Sequence, residues 1–418
     1  MEPAASSQAP KAVRLSLTGP PKSVRMSLSI DERSDAARVG KKKTIKKIKK
    51  SKQTKQMTIA EKYHFMELIS EEQAQCLSQT AKCLVRPGMG ILAADDTMHR
   101  INTKLEEFNL YPSNLNRHKF HEVYLGSNLP LEDFLSGVLM REESITHDVL
   151  RGKKLMHMIR DRHLKLGIRL DRGVVPLAGT NGEFTTWGLD TIEKDCQKVK
   201  ELGAEFALWR CVYKVSDTNP SKMAMQENSR TLARFAAVCQ KAGLLPIVAV
   251  DVLPQGTHND AQATAIMREI LTELVKALAA QHVFLEGTLV RVTAAAPGTC
   301  YKGVHNLTRV AAGTAETLNQ CLPPALGGVV MAREENLARS LEILNNIQNC
   351  PVKKPFFVSF CFSRVILDGV VSLWAGQDQN LDKARQELIR RLECCSLATF
   401  GQCSGKHRTM FIKEECAY

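Results

Sequence analysis

Eight short apolar runs rich in β-forming residues alternate with stretches of helical periodicity from about Ile69 onward. The eight runs are Gly90–Asp95, Ser136–Met140, Leu166–Asp171, Phe206–Val212, Leu245–Val252, Val283–Val292, Leu326–Ala332 and Pro355–Phe362. One helical face ahead of the sixth run carries Ile266, Ile270, Leu274, Val275 and Leu278. Strands that alternate with helices favour a parallel sheet covered by helices over a β-sandwich. The pattern therefore predicts an α/β fold, and it leaves a closed barrel and a doubly wound open sheet as alternatives.

The positive charge of the chain is concentrated at its N-terminus. Residues 1–62 hold 16 Lys/Arg against 5 Asp/Glu, whereas the remaining residues hold 41 against 39. The same 62 residues contain no aromatic side chain, many Ser, Lys and Pro, and no sustained apolar face. We therefore expect a disordered basic extension over 1–62 and a nearly neutral folded domain over 63–418.

A lysine-rich run from Lys41 to Lys55 lies within this extension. Like charges repel, so such a run usually stays solvated, and it suits contact with a polyanionic partner such as the cytoskeleton or an acidic membrane surface. No aromatic residue interleaves with the lysines, so base stacking is not expected. A nuclear address and a merely solubilising tail are the alternatives.

The extension also contains a short repeat. Residues Lys11–Leu17 and Lys22–Leu28 share a pattern that places Ser16 and Ser27 two residues after an arginine. These serines are candidates for phosphorylation, which would add about −1.5 to −2 charge at each site. Chance similarity within a low-complexity tail is the alternative.

The composition also bears on compartment and cofactors. The 13 cysteines form no Cys-x-x-Cys pair, which fits reduced thiols in the cytoplasm better than a disulfide framework or a metal site. The N-terminus lacks a secretory signal pattern, and no apolar run is long enough to form a transmembrane segment. We expect no cofactor and no metal.

Several long segments, spread in order along the chain, resemble class I fructose-bisphosphate aldolases. The most specific is Asp171–Glu183, which reads DRGVVPLAGTNGE. The other segments are Pro87–Asp95, Gly203–Val212, Leu245–Val248, Leu253–Pro254, Leu285–Leu289 and the final Ala417-Tyr418. The resemblance covers roughly residues 66–418. It implies a (β/α)₈ TIM barrel, commonly a homotetramer, that cleaves fructose 1,6-bisphosphate to dihydroxyacetone phosphate and glyceraldehyde 3-phosphate in glycolysis.

Four positions that carry catalytic side chains in the resembled family hold other residues here. The position of the Schiff-base lysine is Arg291, and the positions of two further lysines are Leu208 and Arg169. The position of the acid/base glutamate is Ala249. A guanidinium has a pKa above about 12, so it cannot lose a proton and attack a ketone. Loss of the nucleophile together with the proton shuttle predicts loss of catalysis, because each contributes a large factor to the rate.

Other family positions are retained or similar. Asp95 matches an aspartate of the first strand, and Asp251 stands where the family has a glutamate. Candidate contacts for substrate or phosphate are Arg210, Arg364, Arg100 and Lys104. Two other lysines, Lys214 and Lys302, follow the fourth and sixth strands and are the candidates for relocated Schiff-base chemistry.

The sequence therefore favours a catalytically inactive family member that acts as a binding or structural protein, either as a homo-oligomer or together with a true aldolase. One alternative is a working aldolase that uses unorthodox residues. The other is a regulator that binds a sugar phosphate or another small anion at the mouth of the barrel.

Overall fold

A computed structural model of the protein describes residues 69–147, 149–150, 153–332 and 336–412. The predicted disordered extension, its serine repeat and its lysine run lie outside these residues, as does the C-terminal Ala417-Tyr418. Those expectations stay predictions.

The described chain contains twelve strands, eight of which form one closed parallel barrel. In chain order the strands are β1 Gly90–Ala94, β2 Leu135–Met140, β3 Val149–Leu150, β4 Lys153–Lys154, β5 Lys165–Arg169, β6 Val174–Pro176, β7 Phe184–Thr186, β8 Phe206–Tyr213, β9 Leu245–Val252, β10 Leu289–Val292, β11 Gly328–Met331 and β12 Val358–Phe362. Around the barrel the order is β1-β2-β5-β8-β9-β10-β11-β12, and β12 closes on β1. All eight predicted strands therefore belong to the barrel, and the prediction of a (β/α)₈ TIM barrel is confirmed.

Helices after β1 cover the outside of the barrel, whereas the first helix precedes β1. The helices are α1 Glu71–Leu84, α2 Met98–Glu107, α3 Asn114–Leu125, α4 Glu142–His147, α5 Leu155–Arg160, α6 Ile192–Glu201, α7 Lys222–Lys241, α8 Asp260–Ala280, α9 Leu307–Cys321, α10 Leu337–Asn349, α11 Arg364–Trp374, α12 Leu381–Thr399 and α13 Gly405–Ile412. The predicted apolar face before the sixth strand lies in α8, where Ile270, Leu274 and Leu278 are buried.

The barrel interior is filled by side chains that alternate along each strand. On β8 the inward-facing residues include Phe206 and Leu208, and on β9 they are Leu245, Ile247 and Ala249. A Cβ on Gly167 of the neighbouring β5 would come within 2.0 Å of the Phe206 ring, so this glycine leaves the room that the ring occupies. These apolar layers fill the barrel up to the carboxyl ends of its strands.

Helix α1 closes the amino-terminal end of the barrel. Ser70 caps it through a reciprocal pair of hydrogen bonds with Gln73, which satisfies donors that a helix start would otherwise leave free. Its buried Leu77, Ala81 and Leu84 join the same interior cluster as the strand residues. The barrel is therefore apolar and packed at one end and open at the other.

The sixth barrel strand is shorter than the predicted Val283–Val292. Residues Leu285–Gly287 form a 3₁₀ turn, and β10 begins only at Leu289. The Gln240 side chain holds the turn, since its amide donates to the carbonyls of Phe284 (2.7 Å) and Gly287 (3.1 Å). These tertiary hydrogen bonds override the β-forming composition of the segment.

Two short antiparallel hairpins, β3–β4 and β6–β7, were not predicted from the sequence. The second lies within the Asp171–Glu183 motif and its continuation, where Val174 pairs with Thr186. Within the described residues, no helix is long and apolar enough to cross a membrane.

Candidate functional site

The carboxyl ends of the barrel strands surround a cavity of about 450 Å³. Most of its polar lining comes from arginines and aspartates, which are Asp95, Asp96, Arg169, Arg210, Asp251, Arg291, Arg339 and Arg364. Four of the arginines that the sequence identified as site candidates line this one cavity together with Leu208, namely Arg169, Arg210, Arg291 and Arg364. The polar mouth lies directly above the apolar interior layers.

Strand register explains why Arg210 and Arg291 approach the same space. Ala249 on β9 is paired with Arg210 of β8 on one side and with Arg291 of β10 on the other. Asp251 lies two residues further along β9 and therefore faces the same way, one layer closer to the opening. Ala249 itself is fully buried in the interior cluster, so nothing longer than a methyl group separates the two arginine stems at that level.

Arg291 is a buried cation that is held by one carboxylate. Its Nη1 donates to both oxygens of Asp251, at 2.9 and 3.1 Å, and 11% of each side chain is exposed. Burial lowers the pKa of this guanidinium, but the charge of Asp251 outweighs that effect and the pKa is raised above its usual value. Arg291 therefore remains protonated and cannot act as an amine nucleophile.

Arg210 is held less tightly than Arg291. Its Nη1 lies 3.7 Å from Asp251, which is too long for a hydrogen bond, and its buried Nε has no partner among the described residues. Burial lowers the pKa of the Arg210 guanidinium, and the positive charges of Arg169 and Arg291 oppose the attraction of Asp251. Its guanidinium therefore makes no hydrogen bond with a described residue, and 31% of the side chain is exposed.

Arg169 is bound by two carboxylates. Its Nε and Nη2 donate to the two oxygens of Asp171 at 2.7 and 2.8 Å, and its Nη1 donates to Asp95 at 2.9 Å. Burial alone would raise the pKa of Asp95, but the charge and hydrogen bond of Arg169 hold it below its usual value. All three guanidinium nitrogens of Arg169 therefore donate to a carboxylate oxygen, an arrangement called here the Arg169 fork. This residue is a structural cation.

Asp96 and Asp171 add two further negative charges beside the arginines of the site. The sequence singled out only Asp95 and Asp251 as acidic residues of the site, so that set was incomplete. Burial raises the pKa of Asp96, although Arg100 pairs with it at 3.1 Å and opposes the rise. Asp171 could have been identified from the sequence, because it lies two residues after Arg169 and so shares its face of the strand.

The remaining candidate phosphate contacts lie in different places. Arg364, the first residue of α11, lines the cavity and has no hydrogen bond or ion pair with another described residue. Arg100 instead pairs with Asp96 and with both oxygens of Asp368, at 3.1 Å each. Lys104 pairs with Glu107 at 2.7 Å. Neither Arg100 nor Lys104 lines the cavity, so Arg210 and Arg364 are the better candidates for anion contacts.

The two lysines considered for relocated chemistry are both exposed, and neither lines the cavity. Lys214 Nζ lies near the tip of the β6–β7 hairpin, 3.7 Å from where a Cβ on Gly182 would be. Lys302 is in the loop that follows β10. The cavity wall contains no lysine from the described residues.

Sequence reasoning also missed two groups on the cavity wall. Cys361 of β12 is buried beside Arg291, and burial raises the pKa of its thiol to about 12 in spite of that positive charge. His258 is buried, and burial lowers the pKa of its imidazole. Only the alternation of inward positions along β12 could have pointed to Cys361. No group of three metal-ligating side chains occurs among the described residues.

Comparison with known proteins matches most of the chain to one family. The profile of class-I fructose-bisphosphate aldolase matches residues 76–417. Fructose-bisphosphate aldolase C-A of Danio rerio is 35% identical over 335 residues, which are 80% of this chain and 92% of that protein. Fructose-bisphosphate aldolase C of Homo sapiens is 34% identical over 343 residues, with coverage of 82% and 94%.

A solved structure gives the same result. It is fructose-bisphosphate aldolase from Plasmodium falciparum, in a ternary complex with TRAP and a small-molecule inhibitor. It superposes with a TM-score of 0.77 at 30% sequence identity, and it covers 81% of this chain and 97% of that chain.

Proposed function

Because this chain belongs to the class I fructose-bisphosphate aldolase family, we propose that it is a non-catalytic member that binds small anions at the mouth of its barrel. The observation that carries the proposal is the state of Arg291. Its guanidinium is buried and paired with Asp251 at 2.9 Å, at the position where the family requires an uncharged amine. An arginine in this environment cannot form an imine with a ketone.

The lack of a proton shuttle supports the same conclusion. Ala249 stands at the family's acid/base position, and its methyl group is fully buried between Arg210 and Arg291. The nearby carboxylates are already engaged, because Asp251 pairs with Arg291 and Asp95 pairs with Arg169. General acid–base help is typically worth about 10²–10⁴-fold in rate, so its loss alone would be severe.

Two arginines support anion binding. The guanidinium groups of Arg210 and Arg364 line the cavity and make no hydrogen bond with a described residue. Guanidinium groups bind phosphate and carboxylate oxygens through paired donors. A sugar phosphate is the ligand class that family membership suggests, and other small dianions fit the same chemistry.

An aldol-cleavage assay of the purified protein, combined with borohydride trapping in dihydroxyacetone phosphate, tests the catalytic part. We expect no cleavage of fructose 1,6-bisphosphate above background and no reduced adduct. Arg291→Lys alone should not restore full activity, because position 249 still lacks a carboxylate. Human aldolase C, handled in parallel, serves as the positive control.

The rival function is a working aldolase. It predicts a trapped lysine adduct and measurable turnover, and peptide mapping of the adduct would identify the lysine. That result would overturn the non-catalytic proposal. It would not bear on anion binding, which is measured separately by calorimetric titration with fructose 1,6-bisphosphate and with inorganic phosphate.

Association with other chains is part of the proposal. A homo-oligomer, or a mixed oligomer with a true aldolase, would let a non-catalytic subunit act structurally. The run Lys41–Lys55 would contact a polyanionic partner, and its density of positive charge supports this. A cytoplasmic location and the nuclear alternative stay predictions, since they rest on cysteine usage and on that lysine run.

A further inference from the structure

One carboxylate at the cavity wall lies between two partly buried cations. Asp251 is 2.9 Å from Arg291 Nη1 and 3.7 Å from Arg210 Nη1. Arg291 takes both of its oxygens, whereas Arg210 has no hydrogen bond to it. The pairing is therefore unequal, although the two arginines lie at the same level on either side of β9.

We propose that Arg291 is a positioning residue that engages Asp251 and thereby keeps the donors of Arg210 available to an anion. This inference rests on the proposed anion-binding function and deepens it. Arg210 then contacts the ligand, and Arg291 acts on the ligand only through Asp251.

The geometry supplies the physical reason. Arg210 Nη1 lies only slightly beyond hydrogen-bond distance from Asp251 Oδ2, so a small rotation of the carboxylate would bring the two into contact. The bond from Arg291 to both oxygens prevents that rotation. If Arg291 lost its charge, the unpaired carboxylate would be left with Arg210 as its nearest cation, and a buried charge without a partner is costly.

The consequence for binding follows from competition. An anion that approaches Arg210 competes with whichever carboxylate already occupies its donors. With Arg291 present, Asp251 does not occupy the donors of Arg210. The positive charges of Arg169 and Arg291 repel the Arg210 guanidinium, and a bound anion would reduce this repulsion. With Arg291 neutralised, Asp251 would occupy Arg210 and repel the anion.

A double-mutant cycle tests this mechanism. The variants are Asp251→Asn, Arg291→Met, the double variant and Arg291→Lys, and each is titrated calorimetrically with inorganic phosphate and with fructose 1,6-bisphosphate. Methionine keeps much of the length of the side chain without its charge, and asparagine keeps the shape of the aspartate. Circular dichroism and thermal unfolding establish that each variant is folded.

We expect Arg291→Met to weaken binding at least tenfold, which is about 1.4 kcal/mol. Arg291→Lys should retain most of the affinity, because the ammonium still pairs with Asp251. Asp251→Asn should strengthen binding, and a gain of affinity cannot result from misfolding. The double variant should regain the affinity that Arg291→Met loses, because no carboxylate is left to occupy Arg210.

Three results would overturn the inference while leaving anion binding intact. The first is wild-type affinity in Arg291→Met. The second is a double variant that binds as weakly as Arg291→Met, which would mean that Arg291 contacts the anion itself. The third is weaker binding in Asp251→Asn. If the wild-type protein gives no heat with either ligand, the proposed anion-binding function fails and this inference fails with it.

Discussion

At the scale of single residues, the barrel mouth is organised by arginines that differ in how fully they are paired. Arg169 has two carboxylate partners and Arg291 has one, whereas Arg210 has only Asp251 at 3.7 Å and Arg364 has no ion pair with a described residue. Arg169, the most fully paired arginine, has a structural role, because its partner Asp171 is inaccessible to solvent. The least paired ones are free to meet a ligand.

This contrast gives a prediction about stability. Arg169→Met should destabilise the protein by about 3–5 kcal/mol, because removal of one partner leaves buried carboxylates without a counter-charge. Arg172→Met is the matched control, since Arg172 pairs with Asp195 at 3.0 Å while 40% of its side chain is exposed. That change should cost less than about 1 kcal/mol. Urea unfolding of both variants measures the difference, and equal losses would contradict a structural role for the Arg169 fork.

The sequence predicted the residue types of the site better than their partners. The resemblance to class I aldolases identified Arg169, Arg210 and Arg291 as residues at the family's site positions. It could not show that Asp171 rather than Asp95 takes the fork of Arg169, because that depends on side-chain rotamers within a crowded mouth. Nor could it show that Arg100 pairs with Asp368.

At the scale of secondary-structure elements, helix α1 closes the amino-terminal end of the barrel. Its Leu77 is buried in the interior cluster and packs against the turn that precedes β10, since a Cβ on Gly287 would come within 2.7 Å of Leu77 Cβ. The helix therefore fills the amino-terminal opening and supports the start of the strand that carries Arg291.

Truncation of α1's apolar face should destabilise the whole barrel. Leu77→Ala is expected to cost about 2–5 kcal/mol, because it removes buried methyl groups and leaves a cavity. The control is Leu115→Ala in α3, where the leucine is 65% exposed, and this change should cost little. Thermal unfolding compares the two, and a neutral Leu77→Ala would show that the helix is not needed to close the barrel.

The elements were predictable where local pattern and tertiary packing agree. Strands such as β8 and β9 are apolar except for Arg210 and Asp251, and they were identified within a residue or two. The turn Leu285–Gly287 has a β-forming composition, but Gln240 from α7 holds it in a different conformation. A contact between residues more than forty positions apart has no local signature.

At the scale of the whole molecule, most of the net charge lies outside the part of the chain that is predicted to fold. Residues 1–62 carry a net charge of +11 out of the chain's +13. A protein of residues 63–418 should therefore fold with unchanged thermal stability but lose most of its affinity for a heparin column. Binding by the full chain should fall as salt is raised, since exposed charges are screened over about 8 Å at physiological ionic strength. Unfolding of the truncated protein, or binding that salt does not affect, would contradict this division.

Because α1 and the apolar side chains fill the amino-terminal end of the barrel, the described residues leave no passage through the barrel from that end to the cavity. A molecule bound by Arg364 and Arg210 would therefore leave at the same end of the barrel at which it entered. The residues that line the cavity then determine how long an anion stays bound, because the anion does not pass through the barrel. A chain that performs no chemistry could still retain a scarce anion and release it slowly.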